Sequence, residues 1–505
     1  MLPDLLFVPT LIGYLSILSL LFAYGINFVY LTIRAIRATG ATPVVRIPTV
    51  WPRVTVQLPI YNELYVVRRL IDAVARLDYP ADRLDIQVLD DSTDETGQIV
   101  AELVRTWQSR GVDIHHVRRE SRAGFKAGAL AHGLTLAHGE LIAIFDADFV
   151  PKPDFLIETV PVLLGDPGLA FVQTRWSHTN REFSLLTRLQ ALSIDGHFAV
   201  EQAGRWGAGH WFNFNGTAGV WRRAAMVDAG GWEHDTLTED LDISYRAFLA
   251  GWRAAYLGRV DVPAELPVSF NAYRSQQHRW ARGSFECAAK HLPAIWHSDI
   301  PWSRKASATL HLTGYSIHLL LLALSLLYPL LLLVSASHPS VFSPLAIMSI
   351  FSLASLAPTA LFTIGQRQLG RRWVREIPTI LALSALGAGM MMNTARAACQ
   401  AVGGRPATFE RTPKFGVRQR HEDWRRLRYQ LRMDRIVIVE LGLAALDAWT
   451  CWTAIGRGSW AIATYAAIFA IGLTSAVSLT LGQTLRTALA ARHENVAEIV
   501  LDQSV

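Results

Sequence analysis

The sequence predicts a cytoplasmic α/β (Rossmann-like) domain inserted between transmembrane α-helices. Three observations carry this expectation. The first 34 residues and roughly the last 200 are strongly apolar, and the stretch between them alternates β-rich with helix-period runs. Basic residues also gather in the segments that would share one side of a membrane. Composition agrees: the 505 residues are 51% hydrophobic and 18% charged, with 16 Trp and a mean hydropathy of +0.23. That is too apolar for a soluble enzyme of ordinary make-up, and it excludes disorder and collagen-like repeats. Cys287, Cys399 and Cys451 are too few and too scattered for a disulfide framework or a metal cluster. A net charge of +6 fits either nucleic-acid binding or a basic cytoplasmic face, and position along the chain separates the two.

The first element is the run from Leu5 to Ile33, long enough to cross ~30 Å of hydrocarbon as one helix. A cleaved signal peptide is the alternative, but that needs a basic start and a shorter apolar core. Here Asp4 precedes the run, and Arg34 and Arg37 follow it. With Arg46 and Arg53 they place the next domain in the cytoplasm and the N-terminus outside.

From Trp51 to about His297, β-rich runs at Val54 to Leu58, Ile86 to Leu89, Leu141 to Phe145 and Ala170 to Thr174 alternate with helix-period stretches such as Leu64 to Leu77 and Thr96 to Trp107. That pattern predicts a mainly parallel, doubly wound sheet. Ligands of such sheets sit beyond the carboxyl ends of the strands.

Five further apolar runs lie at 308–335, 341–364, 377–398, 436–456 and 460–484. If 377–398 crossed, Arg405 to Arg435, with ten Arg or Lys against four acids, would lie outside. If it instead rests at the interface, Arg367 to Arg375 and Arg405 to Arg435 both stay cytoplasmic, and the external loops are only Ser337 to Ser340 and Gly456 to Ser459. Asn393 and Arg396 in its last turns suit a surface helix. The expected organisation is therefore a transmembrane helix over 1–34, a catalytic domain over 51–297, helices two and three over 306–365 and an interfacial helix over 376–400. A loop over 405–420, helices four and five over 436–485 and a cytoplasmic tail over 486–505 complete it, making five crossings of the cell membrane. Nucleic-acid binding is not expected, because the positive excess lies in loops facing anionic lipid.

The strand ends carry the chemistry. Ile86 to Leu89 runs into Asp90 and Asp91, and Leu141 to Phe145 into Asp146-Ala147-Asp148. Two acidic strand ends at one ligand edge call for a cation, and oxygen-only ligands favour Mg²⁺ or Mn²⁺ with substrate phosphates completing the shell. A single Asp-x-Asp is otherwise a solvated turn. Arg122 and Lys126 sit four apart among glycines, suited to a phosphate or, equally, to a pair of charges on a helix surface. Thr238-Glu239-Asp240 precedes an apolar helix-like stretch, Ile243 to Leu249. Thr238 or Asp240 would cap that helix or, functionally, a carboxylate would act as general base. Gln276, Arg279 and Trp280 offer phosphate donors and a face for a sugar ring, or else simple interfacial anchoring.

The order Asp90-Asp91, Asp146-x-Asp148, Thr238-Glu239-Asp240 and Gln276-x-x-Arg279-Trp280 resembles the D, DxD, TED, QxxRW signature of membrane-embedded family 2 glycosyltransferases, the cellulose, chitin, hyaluronan and mannan synthase group. The likeness runs from Val54-Thr-Val-Gln-Leu-Pro-Ile-Tyr-Asn-Glu63 through the C-terminal spans. Phe171-Val-Gln-Thr-Arg-Trp176 and Phe214-Asn-Gly-Thr-Ala-Gly219 look most like plant mannan and xyloglucan-backbone synthases and their bacterial relatives, and Asn215 stands where cellulose synthases carry Cys. The resemblance implies a GT-A-type fold, with Asp90 and Asp91 on the nucleotide's base and ribose, Asp146 and Asp148 on the diphosphate through a divalent metal, and Lys126 on the phosphates. It makes Asp240 the base, flanked by Thr238 and Glu239, puts Gln276 and Arg279 on the donor, and stacks Trp280 on the acceptor. Arg122, Asn215, Gly216 and Thr217 join the substrate-binding set. Phe409-Glu-Arg-Thr412-Pro-Lys414 resembles the FxVTxK gating loop, with Arg411 for Val. The implied activity is inverting, processive β-glycan synthesis from UDP-glucose or GDP-mannose, with export of the growing acceptor through the bilayer. Transfer of one sugar to a membrane lipid and nucleotide-sugar transport are the rivals. Glu440 and Asp447, seven apart on one face of the fourth span, suggest pairing with neighbouring helices or a polysaccharide path.

Overall fold

A computed structural model describes residues 2–38, 40, 43–338, 356–404, 410–425, 427–431 and 433–502. The sheet has seven strands: β1 (Val54–Ile60), β2 (Leu84–Asp90), β3 (Ile114–Val117), β4 (Leu141–Ile144), β5 (Leu169–His178), β6 (Gly219–Arg222) and β7 (Arg253–Ala264), in spatial order 3-2-1-4-6-5-7. Strands β3, β2, β1 and β4 are parallel neighbours, and β5 runs parallel to β7. The sheet is mainly parallel, as expected, with one exception: β6 is antiparallel to both β4 and β5, which makes the sheet mixed. In register, Ile60 lies opposite Asp90 and Gln57 opposite Ile144, which brings the carboxyl ends of β1, β2 and β4 to one edge.

Side chains alternate between the faces of a strand. Counting in chain order from α1 (Leu2–Ala38), Leu141 and Ala143 therefore pack with helices α2 (Val67–Val74), α3 (Thr96–Gln108) and α5 (Phe155–Gly165), while α4 (Phe125–Leu136) lies on the other face. Ile142 and Ile144 face the opposite layer of α4, the helices Arg223–Asp228 and Glu239–Leu249, and the long helix Phe270–His297. That second layer is rich in aromatic side chains. Trp211, Trp221 and Trp232 are buried in it, so part of the Trp content is core.

Among the described residues, four helices are long and apolar enough to cross a membrane: Leu5–Ala38, Ser316–Ser335, Val437–Gly456 and Trp460–Thr487. They match the first, second, fourth and fifth expected spans. Residues 341–355 of the third lie outside the described residues, and Ala357–Gln368 is its described end. The last helix continues to Asp502. The run at 377–398 is a pair of helices, Trp373–Gly389 and Met391–Val402, bent by 43°. Close contact fixes it: a Cβ on Gly389 would lie 2.5 Å from the Gly472 carbonyl oxygen. Asn393 is buried and donates to the Arg274 carbonyl at 3.1 Å, so its polarity is satisfied inside the protein and does not mark an exposed surface.

Ion pairs knit the apolar helices to the domain. Glu376, in the first turn of the bent pair, binds Arg181 and Arg188, and the 410–416 segment binds the domain after it, so the bent pair is tied to the domain at its start and beyond its end. Glu440 meets Arg274 at 2.7 Å, with both buried, and Asp447 accepts from Ser325 at 2.9 Å, so both acids are paired with neighbouring helices.

Candidate active site

One cleft opens over the carboxyl edge of β1, β2 and β4, and it gathers residues from seven separate segments of the chain. Lining it are Asp91, Arg122, Lys126, Asp146, Asp148, Asn215, Gly216, Thr238, Glu239, Asp240, Gln276, Arg279, Trp280, Thr412 and Lys414. Two of the sequence-selected residues are outside the lining. Thr217 is buried beneath, its Oγ1 accepting the Asp146 amide at 2.9 Å. Asp90 is buried behind Asp91, accepting from the Ser92 amide at 2.8 Å and bonded to His116 Nε2 at 2.8 Å. Burial would raise its pKa, but those bonds prevail and hold the carboxyl below its usual range. Asp91 takes a two-pronged bond from Arg119 at 2.8 and 2.6 Å.

The centre is a balance of acids against lysines. Lys126, in the first turn of α4, reaches Asp146 at 2.7 Å, Glu239 at 3.5 Å and the Gly216 carbonyl at 3.0 Å. Lys414 reaches Asp148 at 2.7 Å. Glu239 and Asp240 begin the helix Glu239–Leu249, with Thr238 in the cap position, yet Thr238 makes no side-chain cap bond, so the capping alternative is not realised there. Gly283 lets the helix Phe270–His297 close on this turn, because a Cβ there would lie 2.5 Å from Thr238 Oγ1. Gly216 has φ +77°, and a Cβ on it would sit 3.0 Å from Asp240 Oδ2.

Burial, then the neighbouring Glu239, pushes the Asp240 carboxyl up to about 7 despite Lys126. Burial likewise raises Asp146, with Lys126 opposing and Asp148 adding to it. Negative charge is therefore under-compensated by the two lysines. Asp146 and Asp148 supply hard oxygen ligands at that point, and the donor set fits a divalent cation of the Mg²⁺ or Mn²⁺ kind. A second cluster, Asp242, Cys287 and His291, has ligand atoms within 4.8 Å of one another, but Arg246 and Lys290 already pair with Asp242 there.

The segment after Glu410 forms the cleft's outer wall. Arg279 donates to the Glu410 carbonyl at 3.2 Å, and burial lowers its pKa against the surrounding acids. Arg411 pairs with buried Glu63 at 2.7 Å. Glu265 accepts from the amides of Phe415 at 2.8 Å and Gly416 at 2.9 Å, while its own carbonyl takes Lys414 at 2.6 Å. Arg122 precedes α4 and stacks 3.4 Å over the Tyr61 ring, a cation–π contact in the cleft wall, so it is not one of a pair of charges on a helix surface. Trp176 and Trp280 supply apolar faces. Phe409 of the gating-loop likeness lies outside the described residues.

Sequence reasoning missed Glu265 and the role of Glu63. Glu265 immediately follows β7, so the rule that found Asp90 and Asp146 also finds it once that strand is read.

The family model for "Glycosyltransferase like family 2" matches residues 52–283. The chain is 48% identical over 237 residues to glucomannan 4-beta-mannosyltransferase 2 of Arabidopsis thaliana, covering 46% of this chain and 44% of the relative. It is 39% identical over 353 residues to probable glucomannan 4-beta-mannosyltransferase 7 of Oryza sativa subsp. japonica, covering 68% and 60%. The chain thus spans about half the length of the curated relatives it matches. Among solved structures, it is similar to a mannosyltransferase from Pyrobaculum calidifontis in complex with GDP-Man and Mn²⁺, at 24% identity and a TM-score of 0.45, covering 69% of this chain and 99% of that one.

Proposed function

This chain is a cellulose synthase-like member of glycosyltransferase family 2, and on that premise we propose that it is an inverting, processive hexosyltransferase that extends a β-linked glycan and passes it through its own membrane helices. The relatives' names put mannosyl transfer and a β-1,4 linkage first, so GDP-mannose leads UDP-glucose as donor. The observation that carries the reading is the placement of Asp240, raised to about 7, beside Lys126 and the Asp146–Asp148 strand end in one cleft.

In the proposed step, Asp240 takes the proton from an acceptor hydroxyl. That oxygen attacks the anomeric carbon from the face opposite the diphosphate, and the bond to the diphosphate breaks, releasing the nucleotide with the electron pair. Lys126 and Arg279 bring positive charge to the departing oxygens. A divalent cation held by Asp146 and Asp148 would supply further charge stabilisation there. Asp91, with Asp90 behind it, would face the nucleoside and Arg122 a phosphate, while Trp280 offers a face to the acceptor sugar.

Topology supports the same reading. The helix ends at Ala38, Ser316 and Val437 and the start of the bent pair all adjoin the α/β domain through residues such as Arg34, bonded to the Gly207 carbonyl, and Glu440. Five crossings, with the bent pair returning to the side it left, place every basic loop beside the catalytic domain in the cytoplasm. The test is nucleotide release by purified protein given each donor with Mg²⁺ or Mn²⁺. Release that depends on glycan acceptor and on Asp240 supports the reading, and donor binding without release points to a carrier or receptor.

A further inference from the structure

Asn215 lines the cleft one residue before Gly216, whose position abuts Asp240, and its surroundings fix which end of its amide points where. Gln202 Nε2 lies 2.9 Å from the Asn213 carbonyl, which can only accept, so that corner of the Gln202 amide is nitrogen. The same Nε2 lies 2.6 Å from the Asn215 side chain, which must therefore present Oδ1 to it. Asn215 Nδ2 is then turned toward His197 Nε2 at 3.1 Å. This contact requires a bare lone pair on Nε2 and a neutral ring. Burial favours that state, lowering the His197 pKa against the pull of Glu201. The backbone is pinned as well: the Asn215 amide donates to Gln173 Oε1 at 2.8 Å, and Gln173 Nε2 is held by the carbonyls of Thr174, Thr217 and Ala218.

His197 and Gln202 are the two ends of a six-residue π-helix, His197–Gln202. Five residues apart on an α-helix, they would point about 140° away from each other. The wider i→i+5 turn lets both reach one amide, and such turns occur frequently at functional sites.

A carboxamide has two N–H donors and two lone pairs. His197 and Gln202 use one of each, which leaves one donor and one acceptor for the cleft. We propose that His197 and Gln202 are positioning residues that lock the Asn215 amide in one orientation, and that Asn215 so held reads two neighbouring hydroxyls of the acceptor sugar, donating to one and accepting from the other. Proximity to Asp240 places this contact at the terminal residue of the glycan. The inference rests on the proposed glycan acceptor.

The test measures acceptor affinity without turnover. The full-length protein in detergent is titrated calorimetrically with a soluble β-1,4-manno-oligosaccharide, then assayed for donor and acceptor KM separately. His197→Phe keeps the ring volume but removes the acceptor atom. Gln202→Met keeps the length but removes the donor, and His197→Gln restores an acceptor at the Nε2 position. Each of the first two weakens oligosaccharide binding about tenfold, one hydrogen bond's share, with donor KM unchanged, and His197→Gln recovers most of it. Unchanged acceptor affinity in folded His197→Phe and Gln202→Met, or equal loss of donor and acceptor affinity, overturns the proposal. Wild-type protein that binds oligosaccharide but releases no nucleotide would instead defeat the transferase reading alone, and wild-type protein that binds no oligosaccharide defeats this one.

Discussion

With Asp240 as the proposed base, the pH dependence of transfer should follow the burial of its carboxyl. Its carboxyl is raised from the ordinary 3.8 to about 7 by burial and by Glu239, with Lys126 opposing. A base must be ionised to accept a proton, so kcat/KM, which reports the free enzyme, rises with pH through that region. Below that raised pKa the rate should fall roughly tenfold per pH unit. An exposed carboxylate would give a flat profile from pH 5.5 upward. Glu63, also raised to about 7 by burial against Arg411, titrates in the same window. Glu63→Gln removes that group and should leave the acid limb in place, whereas Asp240→Asn should lower turnover about 10²- to 10⁴-fold with donor binding retained. Initial rates of nucleotide release from pH 5.5 to 8.5 check this. A flat wild-type profile, an acid limb that vanishes in Glu63→Gln, or substantial turnover in Asp240→Asn refutes the assignment of the base.

Other outcomes follow from single contacts. Gly216→Ala forces a side chain into φ +77° and to 3.0 Å from Asp240 Oδ2, so kcat should fall at least about tenfold with thermal stability little changed, readable by initial rates and a melting curve. Glu265→Gln weakens the anchor of Phe415 and Gly416, so trypsin should cut after Arg411 sooner and donor KM should rise. Arg274→Met strands the buried Glu440 carboxylate and should cost about 3–5 kcal/mol, while Arg274→Met with Glu440→Met recovers most of it in detergent unfolding.

Apolar runs and acidic strand ends were legible because each is local. Asp146 and Asp148 were marked by four β-forming residues before them, and the helices Val437–Gly456 and Trp460–Thr487 by composition alone. What was not legible is long-range. Lys414 lies 266 residues from Asp148 and Arg411 meets Glu63 across most of the chain, so no periodicity joins them. β6 has only the four residues Gly219–Arg222, too short for a pattern, and its antiparallel sense depends on its neighbours. β7 is missed because Gly258, Arg259 and Asp261 break its apolar alternation, and Glu265 was lost with it. Asn393 was polar for a reason the sequence hides, a carbonyl on another helix.

Whether this cleft builds a β-linked polymer is read from the product. Purified protein is incubated with labelled GDP-mannose or UDP-glucose and Mg²⁺ or Mn²⁺, and the product is sized and digested with linkage-specific glycanases. The account predicts a high-mass product that a β-1,4-specific glycanase degrades and that is absent with Asp240→Asn. Label found only in an organic-extractable glycolipid, or in no product from either donor, would contradict it.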